Sequence, residues 1–284
     1  MPRLIRPIIT ALLLLAIALP GTALARSANR TVILATTTST QDSGLLDVLV
    51  PMFEKMSGYT VKTVAVGSGQ ALKMGEKGEA DVLLVHSPEA EKKFMAAGFG
   101  FNRRLVMHND FVIIGPASDP AGVRTVKGAA AALQSIAARK ALFISRGDNS
   151  GTHAREKALW QAAGINPEGK SWYQQTGLGM GQSLQVAAEK KAYILTDRAT
   201  FLTMQKNLNL QLLSEKDKAL LNVYHVIEPS PYGHPRLNIA GGRAFANFLI
   251  ATPAQDKIGS FGSDKFDAPL FTPDAGRNPA DLGL

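Results

Sequence analysis

The sequence predicts an α/β protein of two lobes, each a largely parallel sheet flanked by helices, joined by two crossing strands. Three observations predict this. Short apolar runs of strand length alternate with amphipathic helical patterns along most of the chain. Two hydroxyl-rich segments, Thr36 to Thr40 (TTTST) and Ser145 to His153 (SRGDNSGTH), each separate a strand-like run from a helical stretch. No internal repeat or low-complexity linker divides the halves, which suits lobes joined by strands better than domains strung on a tether.

The elements follow in order. Arg3 and Arg6, the apolar run Ile8 to Leu19, Pro20 and Ala23-Leu24-Ala25 read as a signal peptide over 1–25, cut after Ala25. That apolar run is short for a membrane span. Thr31 to Leu34 is a strand. Leu45, Leu46, Leu49, Phe53 and Met56 mark a helical stripe interrupted by Pro51 and closed by Gly58. Thr60 to Val66 is a strand entering the Gly67-Ser68-Gly69 turn and a helix to Lys77. Val82 to Val85 is a strand, with Pro88 opening the next helix and Gly98 ending it.

Phe111 to Ile114 is another strand, closed by Gly115-Pro116. An alanine-rich helix, Lys127 to Lys140, precedes the strand Ala141 to Ile144, and a further helix ends near Gly164. Ala192 to Thr196, Leu210 to Leu213 and Asn222 to Ile227 read as strands, and Gly241 to Ile250 as an amphipathic helix. The Gly-, Pro- and Asp-rich tail after Thr252 is expected to wrap the surface. Crossings are expected at Phe111 to Pro116 and Asn222 to Pro229. The first lobe is then 26–113 plus 226–284 and the second 114–225.

Composition excludes several function classes. The absence of cysteine removes disulfides, thiolate metal sites and cysteine nucleophiles, and with them a lipid-attachment cysteine after the leader. A freely soluble exported chain suits the periplasm of a double-membraned cell. Without the two leader arginines the net charge falls from +8 to +6, dispersed in pairs such as Arg103-Arg104 without interleaved aromatics. Nucleic-acid binding is therefore disfavoured, whereas a mild positive field aids capture of a small anion. His86, His108, His225 and His234 lack metal-ligand spacing and read as structural or surface groups; no protein-ligated metal or cofactor is expected.

The two polar segments and Gly67-Ser68-Gly69 all lie beyond the carboxyl ends of strands, where ligands bind in open α/β sheets. Helix N-termini there present orphan N–H groups and a positive dipole end. Thr37, Thr38, Ser39 and Ser68 add hydroxyl donors. Arg146 adds a charged fork of donors, and Ser150-Gly151-Thr152 a second helix N-terminus, with Glu156 as a capping partner. A fully ionised tetrahedral oxyanion needs donors only, whereas a protonated phosphate also needs an acceptor. Asp42, Asp148 and Asp197 are the carboxylates that could accept, unless they cap turns. Any one of these segments alone reads equally as a plain N-cap. An exported serine hydrolase would pair Ser68 or Ser150 with His86 or His153, but no G-x-S-x-G elbow is present.

At these residues the chain resembles the substrate-binding component of tungstate ABC transporters, within the type II periplasmic binding proteins. The resemblance rests on ATTTSTQDSGLLDVLVPMFEK (35–55), VAVGSGQAL (64–72), GEADVLLVHSPEAEKKF (78–94), SRGDNSGTHAREKALW (145–160) and AYILTDRATFL (192–202). It implies a monomer hinged around tungstate, or alternatively molybdate or phosphate. Thr37, Thr38, Ser39 and Ser68 would act from the first lobe, Arg146 and Thr152 from the second. It also implies an inner-membrane permease with a cytoplasmic ATPase, since this chain carries no Walker A pattern.

Overall fold

The β-branched run at Thr31–Thr37 forms β1, the parallel neighbour of β2 (Thr60–Val66) on one side and β3 (Val82–Val85) on the other. The computed structural model describes residues 30–282, so the expected signal peptide lies outside the described residues. Between β1 and β2 come α1 (Thr38–Asp42) and α2 (Leu46–Ser57), which continues through Pro51 and stops at left-handed Gly58. Next, α3 (Ser68–Glu76) leads into β3, and α4 (Pro88–Ala96) follows it with the expected proline in its first turn.

The 17-residue β4 (Gly100–Pro116) changes sheets midway. Up to Asp110 it pairs antiparallel with β9 (Leu221–Pro229); from Phe111 it pairs with β7 (Tyr193–Asp197) and β8 (Leu210–Ser214). In the second sheet, β5 (Phe143–Ser145) lies parallel between β7 and β6 (Tyr173–Gln175). Helices α5 (Ala129–Ala138), α6 (Gly151–Ala162), α7 (Met180–Glu189) and α8 (Arg198–Met204) cover it. The strand order is β2-β1-β3-β9-β4-β7-β5-β6. Each lobe thus holds a parallel trio, and the strands next to the crossing run antiparallel.

The first expected crossing is on β4, with the change of partner falling between Asp110 and Phe111. The second is corrected. Asn222 to Pro229 does not cross but pairs with β3 and β4 in the first sheet. It is buried on both faces, as a central strand must be, and the return from the second sheet runs through 215–220. By pairing, the first sheet therefore draws on 31–110 and 221–273, the second on 111–214.

Alternating side chains give each sheet two apolar faces. In the first lobe, Val32, Leu34, Val82 and Leu84 pack against Leu49, Phe53 and Phe245, while Ala35, Leu83 and Val85 face Leu72 and Phe94. In the second, Phe111, Phe143 and Tyr193 pack on Trp160 and Leu133, and Val112, Ile144 and Ile194 on Leu184 and Phe201. Each fully buried large side chain contributes about 1.5–3 kcal/mol.

The tail is also corrected. After α9 (Ile239–Ile250), which covers the expected helix, it contains α10 (Thr252–Ser260), α11 (Ser263–Phe266) and β10 (Thr272–Pro273), which pairs with β4. Leu270 and Phe271 are buried, Phe271 edge-on to Tyr224 at 5.8 Å, and Asp274 meets His108 at 2.6 Å. A tail that only wrapped the surface would not supply core side chains.

One glycine in α9 is dictated by close approach. A β-carbon on Gly242 would stand 2.1 Å from the Asp81 carbonyl oxygen, a backbone atom that cannot yield. Gly242→Ala is expected to destabilise the fold by about 2–3 kcal/mol despite alanine's better helix propensity. Urea unfolding of the variant checks this; unchanged stability would mean that α9 rides clear of β3.

Candidate anion site

The sheet ends deliver the polar segments to the junction of the lobes. Thr37, the last residue of β1, caps α1 by accepting from the Thr40 N–H at 3.2 Å. Its hydroxyl lies 2.6 Å from Thr40 Oγ1 and 3.2 Å from Ser39 Oγ. Ser150 likewise caps α6, accepting from the His153 N–H at 3.2 Å. Thr37 and Ser150 therefore do the structural work that a plain capping interpretation assigns to them.

Ser68 and Thr152 do not. Both stand within the first turn of their helices rather than at the cap, and both hydroxyls are buried without a protein hydrogen-bond partner. Arg146 shares this property through Nη1 while being 1% exposed. Its Nη2 donates to Thr38 Oγ1 at 2.9 Å and to Asp148, and its Nε reaches the Leu178 carbonyl at 3.4 Å. Burial pulls the guanidinium down from its ordinary value, with Asp148 opposing the shift. Three buried donors, one hydroxyl from the first lobe and a hydroxyl and a guanidinium from the second, thus lie where the lobes meet. Unpaired buried donors are costly, so their presence argues for a polar guest.

The lobes are in contact around them. Thr38 Oγ1 accepts from the Met180 N–H at 3.2 Å, Asp42 Oδ2 from the Gly181 N–H at 2.9 Å, and the Ser39 carbonyl from Thr200 Oγ1 at 3.1 Å. Glycines permit this approach. A β-carbon on Gly67 would meet Ser150 Cα at 3.2 Å, and one on Gly151 the His86 carbonyl oxygen at 2.8 Å.

Each of the three carboxylates already accepts a hydrogen bond from the protein. Asp42 receives Gly181; Asp148 receives the Ser150 N–H at 3.1 Å and Arg146; Asp197 caps α8 through the Thr200 N–H at 2.9 Å and Thr200 Oγ1 at 2.7 Å. Burial pushes Asp197 up to about 6. Glu156 does not serve as a capping partner: it is buried, accepts from Tyr173 Oη at 2.7 Å, and is pushed up to about 7 by desolvation.

The hydrolase pairings are not assembled. His153 Nδ1 accepts from the Asn149 N–H at 3.1 Å rather than from Ser150, and His86 reaches Thr37 and Ser39 rather than Ser68. Among the described residues no group of His, Asp and Glu has metal-ligand geometry. Sequence reading takes His86 for a structural group or a hydrolase base and leaves it out of the anion site. The residue directly follows β3, beyond the strand's carboxyl end, so the strand-end rule that found the other segments applies to it too.

Two α/β lobes that meet around buried hydroxyls and a guanidinium have the architecture of a two-lobed solute-binding protein. The PBP superfamily domain model matches residues 24–252. The chain is 48% identical over 281 residues to the tungstate-binding protein TupA of Peptoclostridium acidaminophilum, covering 95% of this chain and 98% of that one. Two solved structures are similar. The tungstate ABC transporter structure from Geobacter sulfurreducens is 44% identical with a TM-score of 0.76, covering 82% of this chain and all of that one. TupA from Desulfovibrio alaskensis G20 is 48% identical with a TM-score of 0.70, covering 86% and 99%. The chain belongs to the PBP superfamily, with the type II fold, and within it to the family of these tungstate-binding relatives.

Proposed function

We propose that this chain is an extracytoplasmic solute-binding protein. It captures a fully ionised tetrahedral oxyanion, tungstate, between its lobes and delivers it to an ABC permease with a cytoplasmic ATPase. The observation that carries this reading is the trio of buried, unpartnered donors, Ser68 Oγ, Arg146 Nη1 and Thr152 Oγ1, at the junction of the lobes. Thr37, Thr38 and Ser39 complete the donor set. With Asp42, Asp148 and Asp197 all engaged, the site favours an anion that carries no proton, as tungstate and molybdate do, over phosphate. The relatives' names select tungstate between the first two. The leader at 1–25 suits export to the periplasm, and the chain acts as a monomeric carrier rather than an enzyme.

Because Ser68 and Thr152 cap nothing, Ser68→Ala and Thr152→Val should weaken tungstate binding without lowering stability. A hydrogen bond to a charged group is worth about 1.5–3 kcal/mol, or roughly ten- to a hundredfold in affinity. Titration calorimetry beside thermal melts checks both halves. Parental affinity in both variants would remove these hydroxyls from the site.

A further inference from the structure

His86 is buried just beyond β3, and its hydrogen bonds fix its protonation pattern. The direction is set at a carboxylate. Asp197 Oδ1 accepts from Asn109 Nδ2 at 3.4 Å, which turns Asn109 Oδ1 toward Asn222 Nδ2 at 2.8 Å. Asn222 Nδ2 also reaches Tyr224 Oη at 3.0 Å, leaving Asn222 Oδ1 to accept from His86 Nδ1–H at 2.8 Å. In the neutral ring Nε2 is then an acceptor, 3.2 Å from both Thr37 Oγ1 and Ser39 Oγ. One hydroxyl proton of that pair is consumed by the ring. Thr37 cannot turn elsewhere freely, since its oxygen also serves the Thr40 N–H and Thr40 Oγ1.

We propose that capture of a doubly charged oxyanion is coupled to uptake of one proton at His86 Nε2, which reverses its hydrogen bonds and turns both the Thr37 and Ser39 hydroxyl protons toward the anion. The inference rests on the oxyanion reading of the site. It makes His86 a positioning residue that acts through two hydroxyls. The proton comes from solvent, one per anion. The protonated ring already has its partners: Nδ1–H keeps Asn222 Oδ1, Nε2–H finds a hydroxyl oxygen, and the Tyr224 ring stacks at 4.7 Å with 28° between planes.

Charge balance supplies the drive. Arg146 is already paired with Asp148, so a dianion would enter a buried region with no net fixed positive charge from that pair. The groups facing His86 are the Thr37 and Ser39 hydroxyls from β1 and α1, Phe111 from β4, Asn222 and Tyr224 from β9, and Gly151 from α6. Arg146 and Arg155 act on it at longer range and oppose protonation, and burial pushes the ring down to about 4. A dianion about 6 Å away raises proton affinity by about 10⁴-fold at an effective dielectric constant of about 20, enough to hold the proton near neutral pH.

The test is titration calorimetry of the mature protein with sodium tungstate at pH 7 in Tris and in PIPES, whose ionisation heats differ. Uptake of about one proton would appear as a buffer-dependent enthalpy, with affinity falling by up to about tenfold per pH unit on the alkaline side. Tight binding with the same heat in both buffers would overturn the inference while leaving the oxyanion reading intact. No heat in either buffer would overturn that reading and this inference with it. Imidazole ¹⁵N NMR of the parent protein assigns the proton: His86 should pass from a neutral to an imidazolium pattern on adding tungstate. A ring that stays neutral in the complex refutes the assignment. His86→Gln, where it folds, should bind more weakly and lose the buffer dependence.

Discussion

Arg146→Ala is expected to weaken tungstate binding by about 3–4 kcal/mol, two to three orders of magnitude, the largest loss from any single site residue. The guanidinium has three tasks in this geometry. It holds Asp148, reaches across the lobes to Thr38 Oγ1 at 2.9 Å, and keeps Nη1 buried without a protein partner. Alanine removes the free donor and the charge together, and leaves Asp148 with only the Ser150 N–H. The stranded carboxylate then repels an arriving anion, so the loss exceeds that of one hydrogen bond. Two companions separate these effects. Arg146→Lys keeps the charge but not the fork and should recover only part of the affinity. Arg146→Ala with Asp148→Asn removes the repulsion and should bind better than Arg146→Ala alone. Calorimetry reads all three, and parental affinity in Arg146→Ala would exclude the guanidinium from the site.

Gly151→Ala is expected to abolish tight binding, by more than about a hundredfold, while leaving the melting temperature nearly unchanged. Residue 151 opens α6 without a positive φ, so alanine suits the helix itself. The obstacle lies in the other lobe. The new β-carbon would stand 2.8 Å from the His86 carbonyl oxygen and 2.9 Å from Ser68 Oγ. The hydroxyl can rotate, but the carbonyl belongs to the backbone after β3 and cannot. Each lobe would therefore fold and only their approach would fail. Small-angle scattering with and without tungstate would show a variant that no longer contracts. A variant that contracts and binds like the parent would place the lobe contact elsewhere.

This split between lobe folding and lobe closure also explains what was legible in the sequence. The strands Thr60–Val66 and Val82–Val85 and the helix stop at Gly58 could be read because apolar period and left-handed glycine are local signals. The three-residue β6 could not, being too short to show a period. Nor could α8, which starts on the last strand residue with Asp197 as its cap, so no loop announces it. The central place of β9 was not legible, because a crossing strand and a central one carry similar apolar runs, whereas pairing on both sides is a tertiary fact.

The site shows the same division. Hydroxyls and arginine at strand ends are visible in sequence. Which of them cap and which stay free is not. Thr37 and Ser150 look like Ser68 and Thr152 on paper, and only the hydrogen bonds separate caps from free donors. The role of His86 depends on Asn109 and Asn222, brought to it by two other strands, and no spacing rule predicts such a chain.

The central claim is that the lobes hold a proton-free tetrahedral dianion. Titration calorimetry of the mature protein with tungstate, molybdate, sulfate and phosphate tests it most directly. Tungstate should bind tightly, with weaker or absent heats for the other three. Phosphate binding more tightly than tungstate, or no heat from any of the four, would contradict it.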